Sequence, residues 1–286
     1  MKINQVGQAV TYTPSADIDV YLAVCAIKNI VYSNLKIMPH FSIDKTDASN
    51  ASLNNRLSTL ENKISDIVIS PSMFEEIGVI GDSFASGISS ESGTAFTYSW
   101  LQMMAREYGC TGYNFAEGGL TTRSWLTSDY GLSLLQSSNP CDLYFIALGI
   151  NDSNPDSRNV PVGTVADMTT DPHPDTFYGN MATIRDAILA KNEHAVICLI
   201  TPMRIGDRYT PYQDAVLAMA TAWGCLVVDW RDVPYCNSTW WTSHLSNLHP
   251  TVPMYDAMMH SIVNLLSASI KDNLTHIGAY PNVVNS

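Results

Sequence analysis

The sequence predicts an α/β fold built on a mainly parallel five-stranded sheet. Two observations support this prediction: short apolar runs recur from about residue 75, and segments with helical spacing separate them. The runs that suit buried strands are "IGVI" (77–80), "GYNFA" (112–116), "DLYFIAL" (142–148), "AVICLI" (195–200) and "CLVVDW" (225–230). Helical spacing covers roughly 94–108, 175–191, 211–223 and 253–269. Strands that alternate with helices form a parallel sheet covered on both faces.

Two further segments precede this α/β region. Residues 1–48 mix apolar runs with turn residues, which predicts a small N-terminal module of a few strands or one short helix. Residues 49–70 predict an amphipathic helix with one narrow apolar seam, since Leu53, Leu57, Leu60, Ile64 and Ile67 follow heptad spacing. We expect this seam to form a coiled coil that makes a homo-oligomer through residues 53–67, with a trimer as a candidate assembly. The alternative is an ordinary amphipathic helix packed on its own domain.

The α/β domain is predicted over residues 71–272, followed by a C-terminal tail over 273–286. Pro71 marks the boundary because proline ends the preceding helix. With 46% hydrophobic residues in a chain of 286, the composition favours a well-buried core.

Charge and hydropathy exclude several classes of partner. The chain carries 15 Lys and Arg against 27 Asp and Glu, a net charge of −12, and has no basic run, so we expect no nucleic-acid partner. No stretch approaches the roughly 18 apolar residues that a spanning helix needs, and the N-terminal segment has no continuous apolar core of a signal peptide. We therefore expect no membrane partner. The absence of a signal suits a virion-associated protein released by lysis and a cytoplasmic enzyme equally.

Metal sites and disulfides are not favoured by the pattern of cysteines and histidines. Several of the six cysteines, such as Cys198 and Cys225, sit inside apolar runs, which favours buried free thiols over disulfides. No C-x-x-C pair or H-x₃-H spacing occurs, so we expect no zinc site.

Residues that can take part in catalysis follow the predicted strands, and the site of a parallel α/β sheet lies at these strand ends. Ser83 follows the first run in "GDSFASG", Gly118 and Gly119 follow the second, Asn151 follows the third in "GINDSN", and His249 follows the last. Each of these short motifs alone also fits an ordinary turn. Together they supply what acyl transfer needs: a serine nucleophile, backbone and carboxamide donors for an oxyanion, and a histidine base.

These four motifs resemble those of the SGNH, or GDSL, hydrolase family over about residues 75–270. "VIGDSFASG" is similar to the first block of the family, "NFAEGGLTT" to the second, "ALGIND" to the third and "SNLHPT" to the last. The resemblance implies that Ser83 is the nucleophile and that His249 is the base. It also implies an oxyanion hole formed by the N–H groups of Ser83 and Gly119 and the side chain of Asn151, with Gly119 assigned because it lies five residues after Asn114. The family implies a flavodoxin-like three-layer α/β/α sandwich that hydrolyses esters with no metal or organic cofactor.

The sequence departs from the family at the acid of the triad. The family usually carries aspartate three residues before the histidine, where this chain has Ser246. The acid holds the imidazole in the correct tautomer, so its loss affects the rate. Three substitutes are open: the Ser246 hydroxyl, a backbone carbonyl, or an aspartate from elsewhere, with Asp229 and Asp232 the nearest upstream. His244 is a rival base that lacks the His-Pro context.

The substrate is predicted less directly than the reaction. Aromatic residues in presumed loops near the site suit the face of a sugar ring, which favours an O-acetylated glycan over a lipid; ordinary packing is the alternative. These residues are Trp125, Tyr130, Trp240 and Trp241. A long polar insertion at about 153–174 is expected to shape the site. The other hypotheses are a lipid acylhydrolase and a non-catalytic glycan-binding module, for instance in a phage tail or baseplate.

Overall fold

The computed structural model describes residues 70–89 and 96–273. The predicted N-terminal module, heptad helix and C-terminal tail lie outside these residues, apart from the boundary residues Ser70 and Asn273.

Five parallel strands form the central sheet, in the order β2-β1-β3-β4-β5. The strands are β1 (Glu76–Gly81), β2 (Thr111–Ala116), β3 (Leu143–Ala147), β4 (Val196–Ile200) and β5 (Leu226–Val228). This is the flavodoxin-like order, in which the connections reverse direction between β1 and β3. The predicted parallel five-stranded sheet is confirmed.

Alternate side chains of each strand enter two separate hydrophobic cores. In β1, Ile77 and Val79 belong to one core and Ile80 to the other. In β3, Phe145 belongs to the first core and Tyr144 to the second. Since successive side chains in a strand point to opposite faces, a strand between two helical layers must be apolar at every position. This explains why the strands appear in the sequence as continuous apolar runs.

Helices cover both faces of the sheet. The longer ones are α2 (Trp100–Tyr108), α5 (Phe177–Lys191), α6 (Thr210–Trp223) and α8 (Val252–Asn273). The shorter ones are α1 (Ser83–Ser86), α3 (Thr122–Trp125), α4 (Leu132–Ser137) and α7 (Thr239–Ser243). The buried side chains of α2 and α8 lie in the first core, and those of α5 and α6 lie in the second. The four longer helices agree with the predicted segments, whereas helical spacing did not predict the four short ones.

A small antiparallel hairpin follows α7 and precedes α8. Its strands are β6 (Leu245–Ser246) and β7 (His249–Pro250), with Ser246 paired to His249. Single-turn 3₁₀ helices cover Pro71–Met73, Phe96–Tyr98, Val165–Met168 and Trp230–Asp232. No strand was predicted at these residues, and the hairpin carries the predicted base.

Within the described residues, no helix has the length and apolar character that crossing a membrane requires. The five cysteines of this region are free thiols, and Cys141, Cys198 and Cys225 are buried.

Candidate active site

Ser83 lies at the start of α1, immediately beyond the carboxyl end of β1. Asp82 caps this helix in an extended conformation, and its Oδ1 accepts a hydrogen bond of 2.9 Å from the amide of Phe84. The turn needs glycine at position 81, because a Cβ there would lie 2.5 Å from the Cβ of Ala85 and 3.0 Å from the carbonyl oxygen of Ala147. The tight strand-to-helix turn thus depends on the small residues Gly81 and Ala85, which approach each other closely.

Asp82 is fully buried next to the candidate nucleophile. Burial raises the pKa of its carboxyl from 3.8 to about 7. The amide of Phe84 opposes this rise, the nearby Asp152 carboxylate adds to it, and the Arg204 cation opposes it. This buried carboxyl therefore changes between its protonated and ionised forms near neutral pH.

The turn after β2 lies beside Ser83. A Cβ placed on Gly118 would be 3.9 Å from the Cβ of Ser83. Gly119 has φ +84, a left-handed conformation that glycine adopts without steric cost, and a Cβ placed on it would meet open space. The backbone of this turn is therefore exposed next to the serine, as the sequence analysis expects for an oxyanion donor.

The Asn151 side chain connects the turn after β2 with the turn after β1. Its Nδ2 donates a hydrogen bond of 3.0 Å to the carbonyl of Leu120, the residue after Gly119, and lies 3.5 Å from Oδ2 of Asp82. Asn151 is 8% exposed, as is Ser83. Three of the four predicted site residues therefore converge at the carboxyl edge of β1, β2 and β3.

Asp152 ties the loop after β3 to two helices, α3 and α6. Its buried carboxylate accepts hydrogen bonds from both the amide and the hydroxyl of Thr122, at 3.0 and 2.5 Å. Burial raises the pKa of Asp152 to about 6, against the opposing effect of the bonds from Thr122. The hydroxyl of Tyr212 donates to the carbonyl of Asp152, which ties the same loop to α6. The residue that directly follows Asn151 is thus anchored to both α3 and α6.

His249 lies in the hairpin, half-buried, with its ring next to Phe84. The centroids of the two rings are 6.3 Å apart, and Phe84 directly follows Ser83. Nδ1 of His249 lies 3.0 Å from the carbonyl oxygen of Asn247. A carbonyl oxygen can only accept, so Nδ1 carries the hydrogen and Nε2 keeps the free lone pair of a base. Of the three substitutes for the missing acid, the backbone carbonyl is therefore the one in contact with the ring.

The other two substitutes and the rival base have different partners. Asp229 accepts from Arg231 and from the hydroxyl of Thr201, and the contacts of Ser246 with His249 are the backbone pairing of the hairpin. His244 stacks on Trp240 with centroids 4.2 Å apart, and its Nδ1 lies 2.8 Å from the carbonyl of Trp240. These contacts give His244 a packing role at the end of α7.

The comparison with known families decides the identity of this fold. The model of the GDSL-like lipase/acylhydrolase family matches residues 79–257. The chain belongs to this family. It is accordingly a carboxylic ester hydrolase, and we call it the hydrolase below.

Solved structures share the fold at low sequence identity. A possible lipase from Chitinophaga pinensis matches with a TM-score of 0.51 and 18% identity, covering 71% of this chain and 98% of that one. The lipase/acylhydrolase from Enterococcus faecalis matches with a TM-score of 0.50 and 20% identity over 70% and 96%. A carbohydrate esterase family 2 enzyme from Corynascus thermopiles, solved with a carbohydrate-binding domain, matches with a TM-score of 0.53 and 16% identity over 71% and 68%. No curated protein matches the sequence.

Two residues near the site were not predicted from the sequence. The hydroxyl of Tyr255 in α8 lies 3.0 Å from the carbonyl of Ser83 and 2.8 Å from that of Ile88, so the last helix anchors the first turn. Arg204 places its guanidinium 5.1 Å from the centroid of the Phe84 ring, and its Nη2 donates to the carbonyl of Leu248 at 2.6 Å. Arg204 follows β4, so its position after a predicted strand was a signal by which the sequence could have marked it. Tyr255 had no comparable signal, because its position relative to Ser83 depends on the packing of α8.

The aromatic residues that suggested a sugar site divide into two groups. Trp125 and Trp241 are buried, at 0% and 3% exposure, and Nε1 of Trp125 donates to the carbonyl of Phe115. Their predicted position in loops open to substrate is therefore wrong, and they pack in the interior. Tyr130 and Trp240 remain, with 53% and 38% of their surface exposed.

The insertion after Asn151 is held by its own polar network. Asp167 accepts from the amide of Thr164 and from the hydroxyl of Thr176, which joins the middle of the insertion to the start of α5. Nδ1 of His173 contacts the carbonyl of Asp167, and its Nε2 contacts Asp186. His173 thus helps to hold the insertion in place against α5. Across residues 70–89 and 96–273, no three His, Cys, Asp or Glu side chains gather as a metal site would require.

Proposed function

We propose that the hydrolase is a serine esterase in which Ser83 is the nucleophile and His249 is the general base. The contact between Nδ1 of His249 and the Asn247 carbonyl carries this proposal, because it fixes the tautomer that leaves Nε2 as the base. The approach of the His249 ring to Phe84, next to Ser83, supports the pairing of base and nucleophile.

Acylation proceeds by transfer of the Ser83 hydroxyl proton to Nε2 of His249 while Oγ attacks the ester carbonyl carbon. The amides of Ser83 and Gly119 and the carboxamide of Asn151 donate to the oxygen that becomes negative. Collapse of the tetrahedral intermediate breaks the bond to the alcohol oxygen, which takes the proton from the imidazolium. The products of this half-reaction are the free alcohol and an acyl ester of Ser83.

Deacylation repeats these steps with water. His249 takes one proton from water as the oxygen attacks the acyl-enzyme, and it returns that proton to Oγ of Ser83 as the acid leaves. The Asn247 carbonyl is a neutral partner, so it stabilises the imidazolium less than a carboxylate would. We therefore expect turnover, at a rate below that of an otherwise equal site with a full triad.

The test of this assignment is the hydrolysis of p-nitrophenyl acetate by three variants. We expect Ser83→Ala and His249→Gln to lose at least about a thousandfold in kcat, the order seen when a nucleophile or base is removed. His244→Gln is the matched control, which should keep wild-type turnover. Retained turnover in Ser83→Ala, with a normal thermal midpoint, would contradict the assignment.

We further propose that the substrate is a short-chain ester, an O-acetyl group on a glycan. Trp240 is 38% exposed and lies in α7 just before the hairpin of His249, and this partly exposed ring supports binding of a sugar. The fold shared with the carbohydrate esterase named above is compatible with this substrate. Release of acetate from acetylated polysaccharide should exceed release of fatty acid from phospholipid vesicles. The opposite order would make the hydrolase a lipid acylhydrolase instead.

A further inference from the structure

The turn that supplies the carbonyl partner of His249 is strained. Asn247 and Leu248 are the two central residues of the hairpin turn, with φ 48 and φ 66. Positive φ at both positions is the pattern of a type I′ turn, for which Asn-Gly is strongly preferred. Asparagine suits the first position, but leucine at the second costs about 1 kcal/mol or more in this conformation.

Burial does not compensate for this strain. Leu248 is 66% exposed, so its side chain gains little from packing. A backbone conformation of this kind persists only when the surroundings hold it in place. The pairing of β6 with β7 holds the ends of the turn, and a contact from outside the hairpin stabilises it further.

Arg204 makes such a contact from the loop after β4. Its Nη2 donates a charge-assisted hydrogen bond of 2.6 Å to the carbonyl oxygen of Leu248. The same guanidinium lies 5.1 Å from the centroid of the Phe84 ring, within the range of a cation–π interaction. Phe84 in turn contacts the ring of His249. Arg204 thus connects the strained turn with the aromatic ring that packs on the imidazole.

We propose that Arg204 is a positioning residue for His249. By holding Leu248 in its left-handed conformation, it keeps the Asn247 carbonyl where it can bond Nδ1 of the imidazole. A carboxylate would hold an imidazole partly through its own charge, whereas a neutral backbone carbonyl depends on where the backbone places it. This inference rests on the proposed role of His249 as base.

The test compares Arg204→Gln with the wild type on p-nitrophenyl acetate, a neutral ester that offers no carboxylate for Arg204 to bind. We expect kcat to fall about tenfold with KM within twofold, because a base displaced by a fraction of an ångström impairs the chemical step. Arg204→Lys, which keeps a cation and a donor, should retain more of kcat than Arg204→Gln. Arg208→Gln is the matched control from the same loop, since the Arg208 guanidinium contacts the neighbouring Tyr209. It should leave kcat unchanged.

The decisive variant is Leu248→Gly, which turns the hairpin into an Asn-Gly turn that needs no external support. In the Leu248→Gly background, Arg204→Gln should cost less than threefold in kcat. Arg204→Gln with wild-type kcat, or an equal loss in both backgrounds, would overturn the inference. The same variants are also assayed on an anionic ester, and a loss that appears only as a higher KM for that ester would overturn the inference and make Arg204 a substrate contact. Loss of hydrolysis in Ser83→Ala is measured in the same series, so failure of the proposed function is distinguished from failure of this inference.

Discussion

The buried carboxyl of Asp82 should make the stability of the hydrolase fall as the pH rises, and Asp82→Asn should remove that part of the fall. Asparagine has the same shape and can still accept from the amide of Phe84 through Oδ1, so the helix cap is kept. It cannot ionise. The substitution therefore removes the free energy of placing this negative charge in the protein interior, together with its repulsion of the Asp152 carboxylate.

The magnitude follows from the raised pKa. The pKa of Asp82 is about 7 in the folded protein against 3.8 for an ordinary aspartate. Between these values the folded state holds a proton that the unfolded state has released, so the free energy of unfolding decreases with rising pH. Each pKa unit corresponds to about 1.4 kcal/mol, so the full effect is about 4 kcal/mol. Roughly 2 to 3 kcal/mol of it should fall between about pH 5 and about pH 8.

The assay is urea denaturation of both proteins at these two pH values. The stability of Asp82→Asn relative to the wild type should increase by roughly 2 to 3 kcal/mol from the lower to the higher pH. Asp156→Asn is the matched control: hydrogen bonds from Arg158 lower the pKa of Asp156 to about 2, so its titration is complete below the tested range. Its stability relative to the wild type should not change with pH. A difference between Asp82→Asn and the wild type that stays constant across the range would refute the argument.

Three further predictions concern other parts of the chain. Tyr255→Phe should lower the free energy of unfolding by about 1 to 3 kcal/mol and reduce kcat, because it removes the donor to the carbonyl of Ser83. Tyr235→Phe is the control: the Tyr235 hydroxyl bonds elsewhere in α8, so its loss should lower stability alone. Equal losses of kcat in the two variants would contradict this prediction. Gly119→Ala should lower the free energy of unfolding by about 1 kcal/mol, because alanine is unfavourable at φ +84 even though its Cβ would meet no other atom. An unchanged thermal midpoint would show that the turn relaxes to another conformation. Light scattering should find an oligomer for the full chain and a monomer for a chain that lacks residues 53–67. Monomers in both cases would make the coiled-coil interpretation wrong.

The sequence predicted the sheet and the candidate site because both depend on local patterns. Buried parallel strands must be apolar at every position, so five apolar runs could be recognised without knowledge of their order. The ends of parallel strands meet at one edge, so Ser83, Gly119 and Asn151 could be grouped from their places after the runs. The short helices and the hairpin were missed because a segment of two to six residues carries too little periodicity to be recognised.

The sequence by itself determined the fold class, the family motifs and the absence of an aspartate three residues before His249. Only the tertiary structure showed which group contacts Nδ1 of His249. The partner is the carbonyl of Asn247, and a backbone carbonyl is present at every residue, so no side-chain pattern can mark it. Likewise Arg204 lies 44 residues before Leu248 in the chain, and their contact exists only because the fold brings the loop after β4 to the hairpin. Side-chain chemistry can be read from the sequence, whereas the use of a backbone group depends on where the fold brings it.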